Sequence, residues 1–97
     1  MITDIEEAMM LVGQFNEKYD MKTDNQALML GAETGELQEA ILKDDYDNMK
    51  EEVGDVLFVV VSICINESIS PVEALEEVSK ENMNKSTSKE GGKVTKE

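Results

Sequence analysis

The chain has 97 residues, with 9 Lys+Arg against 22 Asp+Glu and a formal net charge of −13. That length allows one domain and excludes a two-domain enzyme with a separate cofactor fold; a lone chain of this size buries only about 60% of its unfolded surface, so association is an expected source of extra core. The basic residues are all lysine, with no arginine and no histidine, which removes histidine acid–base chemistry, histidine metal ligation and arginine-fork phosphate binding, and the acidity speaks against a nucleic-acid groove.

Four helices follow from their start signals. Thr3 with Glu6 is a capping-box pair opening a first helix through about Tyr19, with Ile5, Met9, Val12 and Phe15 on its inner face. Asp20 to Lys22 is a short polar link. Thr23 with Gln26 repeats the capping-box pattern and opens a second helix to about Lys43. Asp44 or Asp45 starts a third, running to about Glu67. Ser70-Pro71-Val72-Glu73 combines an N-cap, a proline at the first helical position and a capping glutamate, and starts a fourth helix to about Met83. Period-two alternation is absent before the tail, so the expected fold is all-α: a four-helix, bundle-like domain over residues 1–85 with a central antiparallel helix hairpin. Residues 86–97 form a tail in which Glu90-Gly91-Gly92-Lys93 reads as a turn between short strands or mobile flanks.

The third helix carries the strongest tertiary information. Val53, Val56, Leu57, Val59, Val60, Val61, Ile63, Cys64 and Ile65 take up nearly its whole circumference. A helix apolar all round needs cover on several sides, more than three short helices supply, so a homodimer or homotetramer with this helix near the interface is expected. Cys64, the only cysteine, reads as a reduced core residue. The Val56–Ile65 run, broken by Ser62, is about half the length that spans a bilayer. With no basic segment opening the chain, the expected location is the cytoplasm, without a membrane partner.

Two acidic pairs carry chemistry: Glu33-Thr34-Gly35-Glu36 on the second helix and Glu52-Val53-Gly54-Asp55 on the third. Residues three apart share a helix face. In an antiparallel hairpin turning near Asp44, Glu36 faces Glu52 and Glu33 faces Asp55, the nearer pair about 12 Å from the turn by helical rise. Glu33 falls beside Leu30 and Leu37, and Glu52 among Val56, Val59 and Ile63, so both point toward the apolar seam. Four crowded carboxylates cannot all stay ionised unaided. Protonation, lysine partners or divalent cations are the remedies, and Lys43 and Lys50 lie nearer the turn. An all-oxygen acidic set suits Mg²⁺ or Mn²⁺ better than zinc.

The same residues carry a resemblance. Glu33-x-x-Glu36, then Glu52-x-x-Asp55, with Gly31-Ala-Glu-Thr-Gly-Glu-Leu and Glu51-Glu-Val-Gly-Asp-Val-Leu-Phe around them, resembles the signature of the MazG-like all-α nucleoside triphosphate pyrophosphohydrolases. Asn82-Met-Asn-Lys85 followed by Gly91-Gly-Lys-Val is similar to the tail of phosphoribosyl-ATP pyrophosphatase-like members. The resemblance implies Mg²⁺-dependent cleavage of a nucleoside triphosphate to the monophosphate and pyrophosphate, with Glu33, Glu36, Glu52 and Asp55 on the metal. By its chemistry, one carboxylate not fully used in ligation, expected to be Glu36, accepts the attacking water's proton, and Glu52 is the second expected catalytic residue. Asn82 and Lys85 fall where the family contacts the nucleotide, with Lys93 in the tail as a further phosphate charge, and Phe15 with Asn16 resembles its aromatic-polar pair near the base. Residue by residue, Phe15 also fits the core, and the lysines also fit a solvated surface. The chain departs from the family in lacking arginine and in carrying Asn16 where relatives often have histidine. A phosphoribosyl-ATP or dUTP pyrophosphatase is a second enzyme reading, and a non-catalytic acidic helical module binding a cationic partner is a reading of another class.

Overall fold

A computed structural model describes residues 4–85, 89–90 and 93–94. Four helices follow in order, α1 Ile5–Tyr19, α2 Thr23–Leu42, α3 Tyr46–Asn66 and α4 Pro71–Met83, and the tail contributes an antiparallel pair, β1 Lys89–Glu90 with β2 Lys93–Val94. The expected all-α body is what the chain forms, with ends within a residue or two of those read from the sequence. The start expected at Thr3 lies outside the described residues, and the observed N-cap is Asp4, whose carboxylate accepts from the Glu7 N–H at 2.9 Å. Ser70 caps α4 as expected by accepting from the Glu73 N–H.

The capping box expected at Thr23 does not form. Lys22 occupies the N-cap position without a side-chain bond. Thr23 instead donates its hydroxyl to Glu67 Oε2 at 2.7 Å, and Gln26 turns inward and is fully buried. The reason is a stronger demand from the interior. Ser62 interrupts the apolar run of α3 and is buried, so its hydroxyl needs partners. Gln26 Nε2 donates to Ser62 Oγ, and Ser62 Oγ donates to Asn16 Oδ1. Asn16 Nδ2 donates to the Ser62 carbonyl at 3.0 Å and to Asn66 Oδ1 at 3.2 Å. Asn66 Nδ2 closes the loop on Gln26 Oε1 at 3.0 Å and on the Met21 carbonyl at 2.8 Å. One polar knot therefore ties α1, α2 and α3 together at the end of the molecule away from the α2–α3 turn.

Around that knot α2 packs along α3, and α1 crosses α3 on another side. Val12, Ala40, Val59, Val61 and Cys64 are buried. Phe15 is half-buried, with its ring centroid 4.7 Å from Tyr19 and 5.0 Å edge-on to Phe58. Each of the three connections between helices passes through one non-glycine residue in the left-handed region: Asp20 at φ 48°, Asp44 at φ 55° and Ser68 at φ 56°. Aspartate tolerates this better than most residues, because its short polar side chain bonds locally. Asp44 turns the chain directly into Asp45, whose carboxylate accepts from the Asn48 N–H and starts α3. That tight turn sets the α2–α3 register on which the acidic residues depend.

Because the knot is buried and each of its groups has a partner, breaking it leaves donors and acceptors stranded. Gln26→Ala is expected to cost about 1–3 kcal/mol, read as a lower urea midpoint at unchanged slope.

Candidate metal centre

Leu30, Glu33 and Leu37 of α2 form a half-buried strip against α3, where the buried Glu52 and Val59 alternate with the half-buried Val56 and Ile63. Helical periodicity allows no other placement: with the apolar residues driven into the seam, the acids three and four positions away follow them. Glu33, Glu36 and Glu52 each aim a carboxylate oxygen at a common centre, and the three oxygens lie within 4.8 Å of one another. The antiparallel register expected from the turn brings Glu36 to Glu52. Asp55, also expected in the set, is half-buried and outside this three-oxygen convergence, but near enough for its charge to act on both Glu33 and Glu52.

The electrostatics are one-sided. Burial, then hydrogen bonding and repulsion from Glu36, then the charges of Asp55 and Glu33, push the Glu52 carboxyl up to about 7. Burial and the charges of Glu36 and Asp55 raise Glu33 as well, against a hydrogen bond with Glu52 that acts the other way. No lysine enters either balance. Lys43 is held elsewhere, 2.6 Å from Glu39 on the exposed side of α2. Of the three remedies for crowded carboxylates, the lysine partner is thus not used within the described residues. Glu33 Oε2 and Glu52 Oε2 are buried without a hydrogen-bond partner. Two orphaned inward oxygens, a third carboxylate beside them and a purely hard donor set fit a divalent cation of the Mg²⁺ type.

The other expected site residues are distributed differently. Asn16 is buried and its amide is committed to the knot, so it positions α1 against α3. It also lines, with Gly13, Met21, Lys22, Thr23 and Asn66, an open cavity of about 470 Å³ at that end of the molecule. Phe15 lies in the aromatic cluster with Tyr19 and Phe58. Asn82 lies in the last turn of α4 and Lys85 just past its end, Lys85 Nζ donating to Asn82 Oδ1 at 2.8 Å. Lys80 pairs with Glu76 at 2.8 Å. The side chain of Lys93 lies outside the described residues. Gln26, Ser62 and Asn66 are the residues that sequence reasoning passed over. A polar side chain interrupting a long apolar run, as Ser62 does, was the signal that buried partners had to exist.

The chain is all-α, with a central helix hairpin that gathers three carboxylates at its seam. The family model described as the MazG nucleotide pyrophosphohydrolase domain matches residues 22–91, and this chain belongs to that family. Comparison with curated proteins gives no match, and comparison with solved structures gives none. Among the described residues no single helix is long and apolar enough to cross a membrane.

The raised carboxyls set a pH dependence with a definite sign. Between the ordinary glutamate value of 4.5 and about 7 the metal-free folded chain holds a proton on Glu52 that the unfolded chain releases. The contribution of Glu52 to the stability of the metal-free chain is therefore fully present below this window, is lost as pH rises through it, and levels off above it. Thermal melts with a chelator present check this, and Glu52→Gln should flatten the slope. A divalent cation competes with that proton, so the Mg²⁺-induced rise in Tm should be larger above the window than below it.

Proposed function

We propose that this chain is a Mg²⁺- or Mn²⁺-dependent hydrolase that cleaves a nucleoside triphosphate between its α and β phosphates. The observation that carries this reading is the convergence of Glu33, Glu36 and Glu52 with two orphaned inward oxygens, in a chain of this family. Glu33 and Glu52, with Asp55 adding charge, hold the cation. Bound there, a divalent ion supplies charge neutralisation and Lewis-acid polarisation for a polyphosphate that an uncompensated acidic surface would repel.

The side chains divide the remaining work. Glu36 is the exposed member of the set and keeps an oxygen for a proton. Water adds its oxygen to the α-phosphorus, the bond from that phosphorus to the bridging oxygen breaks, pyrophosphate leaves, and Glu36 takes the water's proton. Asn82 and Lys85 contact the phosphates as a neutral donor and a point charge. The cavity beside Asn16 takes the base and sugar; its volume falls within the ordinary range for small-molecule sites. Gln26, at the knot beside this cavity, precedes Glu33 by seven residues of α2, which is about 10 Å of helical rise between the two ends of the substrate. The free, buried Cys64 accords with a reducing compartment such as the cytoplasm.

The test is pyrophosphate release from a panel of standard and modified nucleoside triphosphates, dUTP and phosphoribosyl-ATP included, with Mg²⁺ or Mn²⁺. Pyrophosphate with the monophosphate is the expected product pair; orthophosphate would mean cleavage at another bond. Glu52→Gln should lower kcat by at least about 100-fold and abolish the Mg²⁺-induced thermal shift. Salt-sensitive capture of a cationic protein, with no turnover and no metal-dependent stabilisation, would instead favour the interaction module.

A further inference from the structure

Two backbone carbonyls decide what the buried knot offers to the cavity beside it. Asn16 Nδ2 donates to the Ser62 carbonyl at 3.0 Å, and Asn66 Nδ2 to the Met21 carbonyl at 2.8 Å. A carbonyl only accepts, so each contact fixes which end of its amide carries the N–H₂ group. The Gln26 amide follows: its Oε1 accepts from Asn66 Nδ2, which leaves its Nε2 for Ser62 Oγ and Asn16 Oδ1. Ser62 Oγ donates to Asn16 Oδ1, and Asn16 Nδ2 donates a second time, to Asn66 Oδ1. Every N–H and O–H of these four side chains is thus used within the knot or on those two carbonyls.

The residues around the cavity mouth are used in the same way. The Thr23 hydroxyl goes to Glu67 Oε2 at 2.7 Å, and Lys22 Nζ to Asp20 Oδ1 at 2.8 Å. What the side chains leave for a ligand is carboxylate: Glu67, which Thr23 holds through one oxygen, and Glu17 of α1. The donors that remain are backbone N–H groups opening α2, where the N-cap Lys22 makes no side-chain bond. Between these polar groups the wall is apolar, with Met21 and Ile65 half-buried. Gly13 lies on the same wall, in the interior of α1, where glycine costs roughly 1 kcal/mol against alanine. A Cβ there would meet only Ile65 Cδ1, at an ordinary 3.8 Å. Packing does not require the glycine, whereas a ligand against that wall gains the room.

The polar edges of the common nucleobases differ in how they meet a carboxylate. Uracil and thymine carry one N–H between two carbonyls, and adenine and cytosine carry an amino group beside a bare ring nitrogen. Each of these sets an acceptor against the carboxylate. Guanine carries N1–H and its 2-amino group side by side, the two donors that a carboxylate accepts together, with O6 beyond them for a backbone N–H. We propose, resting on the reading of this cavity as the base site, that it selects guanine nucleotides and that Glu67 determines the selection by accepting from N1–H and the 2-amino group. A carboxylate oxygen accepts more than one hydrogen bond, so Thr23 orients Glu67 without using it up. A side chain oriented beforehand loses less rotamer freedom when the base arrives.

Guanosine and inosine differ only in the 2-amino group and carry no phosphate. Their binding to the full chain in magnesium-free buffer, measured by titration calorimetry, therefore tests the cavity apart from metal and hydrolysis. Guanosine is expected to bind at least about tenfold more tightly than inosine, adenosine, cytidine or uridine. Glu67→Gln is expected to bring guanosine within about threefold of inosine, because its N–H₂ group opposes one of the two base donors. The variant should keep its helical circular dichroism, since Glu67 is exposed at the C-cap of α3. With substrates, GTP should exceed ITP in kcat/KM by a similar factor, chiefly through KM. Equal binding of guanosine and inosine, no binding of either, or a preference that survives Glu67→Gln would overturn the proposal. Guanosine selectivity without pyrophosphate release from any nucleotide would sink the hydrolase reading alone. Equal kcat/KM for all bases would sink the selectivity alone.

Discussion

The constraint on which the molecule turns is the confinement of several like charges at the α2–α3 seam. Glu33, Glu36 and Glu52 share one small space, Asp55 adds its field, and no lysine enters the balance at Glu33 or Glu52. Such a cluster is unfavourable for the chain alone, since burial and mutual repulsion both raise the energy of the ionised state. Helices that are amphipathic in the ordinary way would carry these acids on their outer faces. Their inward placement is therefore a local conflict between folding and charge, of the kind that marks a site rather than a scaffold. A doubly charged cation would resolve the conflict, and the proposed function rests on that resolution.

The rest of the fold holds that seam in register. At one end the Asp44–Asp45 turn reverses the chain within three residues. At the other, the knot of Asn16, Gln26, Ser62 and Asn66 fixes α1, α2 and α3 to one another through mutually satisfied amides and a hydroxyl. A buried polar network of this kind is directional where apolar packing is not, so a slip of α2 along α3 would strand several donors together. The acids sit between these two fixed ends. In contrast, α4 is capped by Ser70 and bent away from α3, and its Val72, Leu75 and Val78 are exposed. The charge cluster thus belongs to the packed α2–α3 pair, whereas α4 buries none of its residues.

Much of this was legible in the sequence because the relevant signals are local. Caps such as Ser70 with Pro71, and left-handed turn residues such as Asp44, set helix boundaries through the nearest few residues. Once the boundaries and the turn were known, helical periodicity placed Glu36 opposite Glu52. The inward tilt of Glu33 and Glu52 followed from the apolar residues flanking them. Where local reading went astray, a longer-range demand was stronger. Thr23 and Gln26 make a capping box by spacing, but Gln26 answers a buried serine 36 positions away. No window along the chain contains both residues.

What the amino-acid order determined by itself is the set of helices, the tight α2–α3 turn and the facing of two acidic pairs, because each depends on neighbours within a turn or two of helix. What only the tertiary structure decided is which oxygens converge and which stay aside. It placed Asp55 at the margin of the cluster, withheld lysine from Glu33 and Glu52, and enlisted Asn16 and Gln26 in a buried knot. Those outcomes depend on the distance and crossing of packed helices. Such distances are set by how side chains far apart in sequence fill one volume, and no spacing rule along a single chain encodes them.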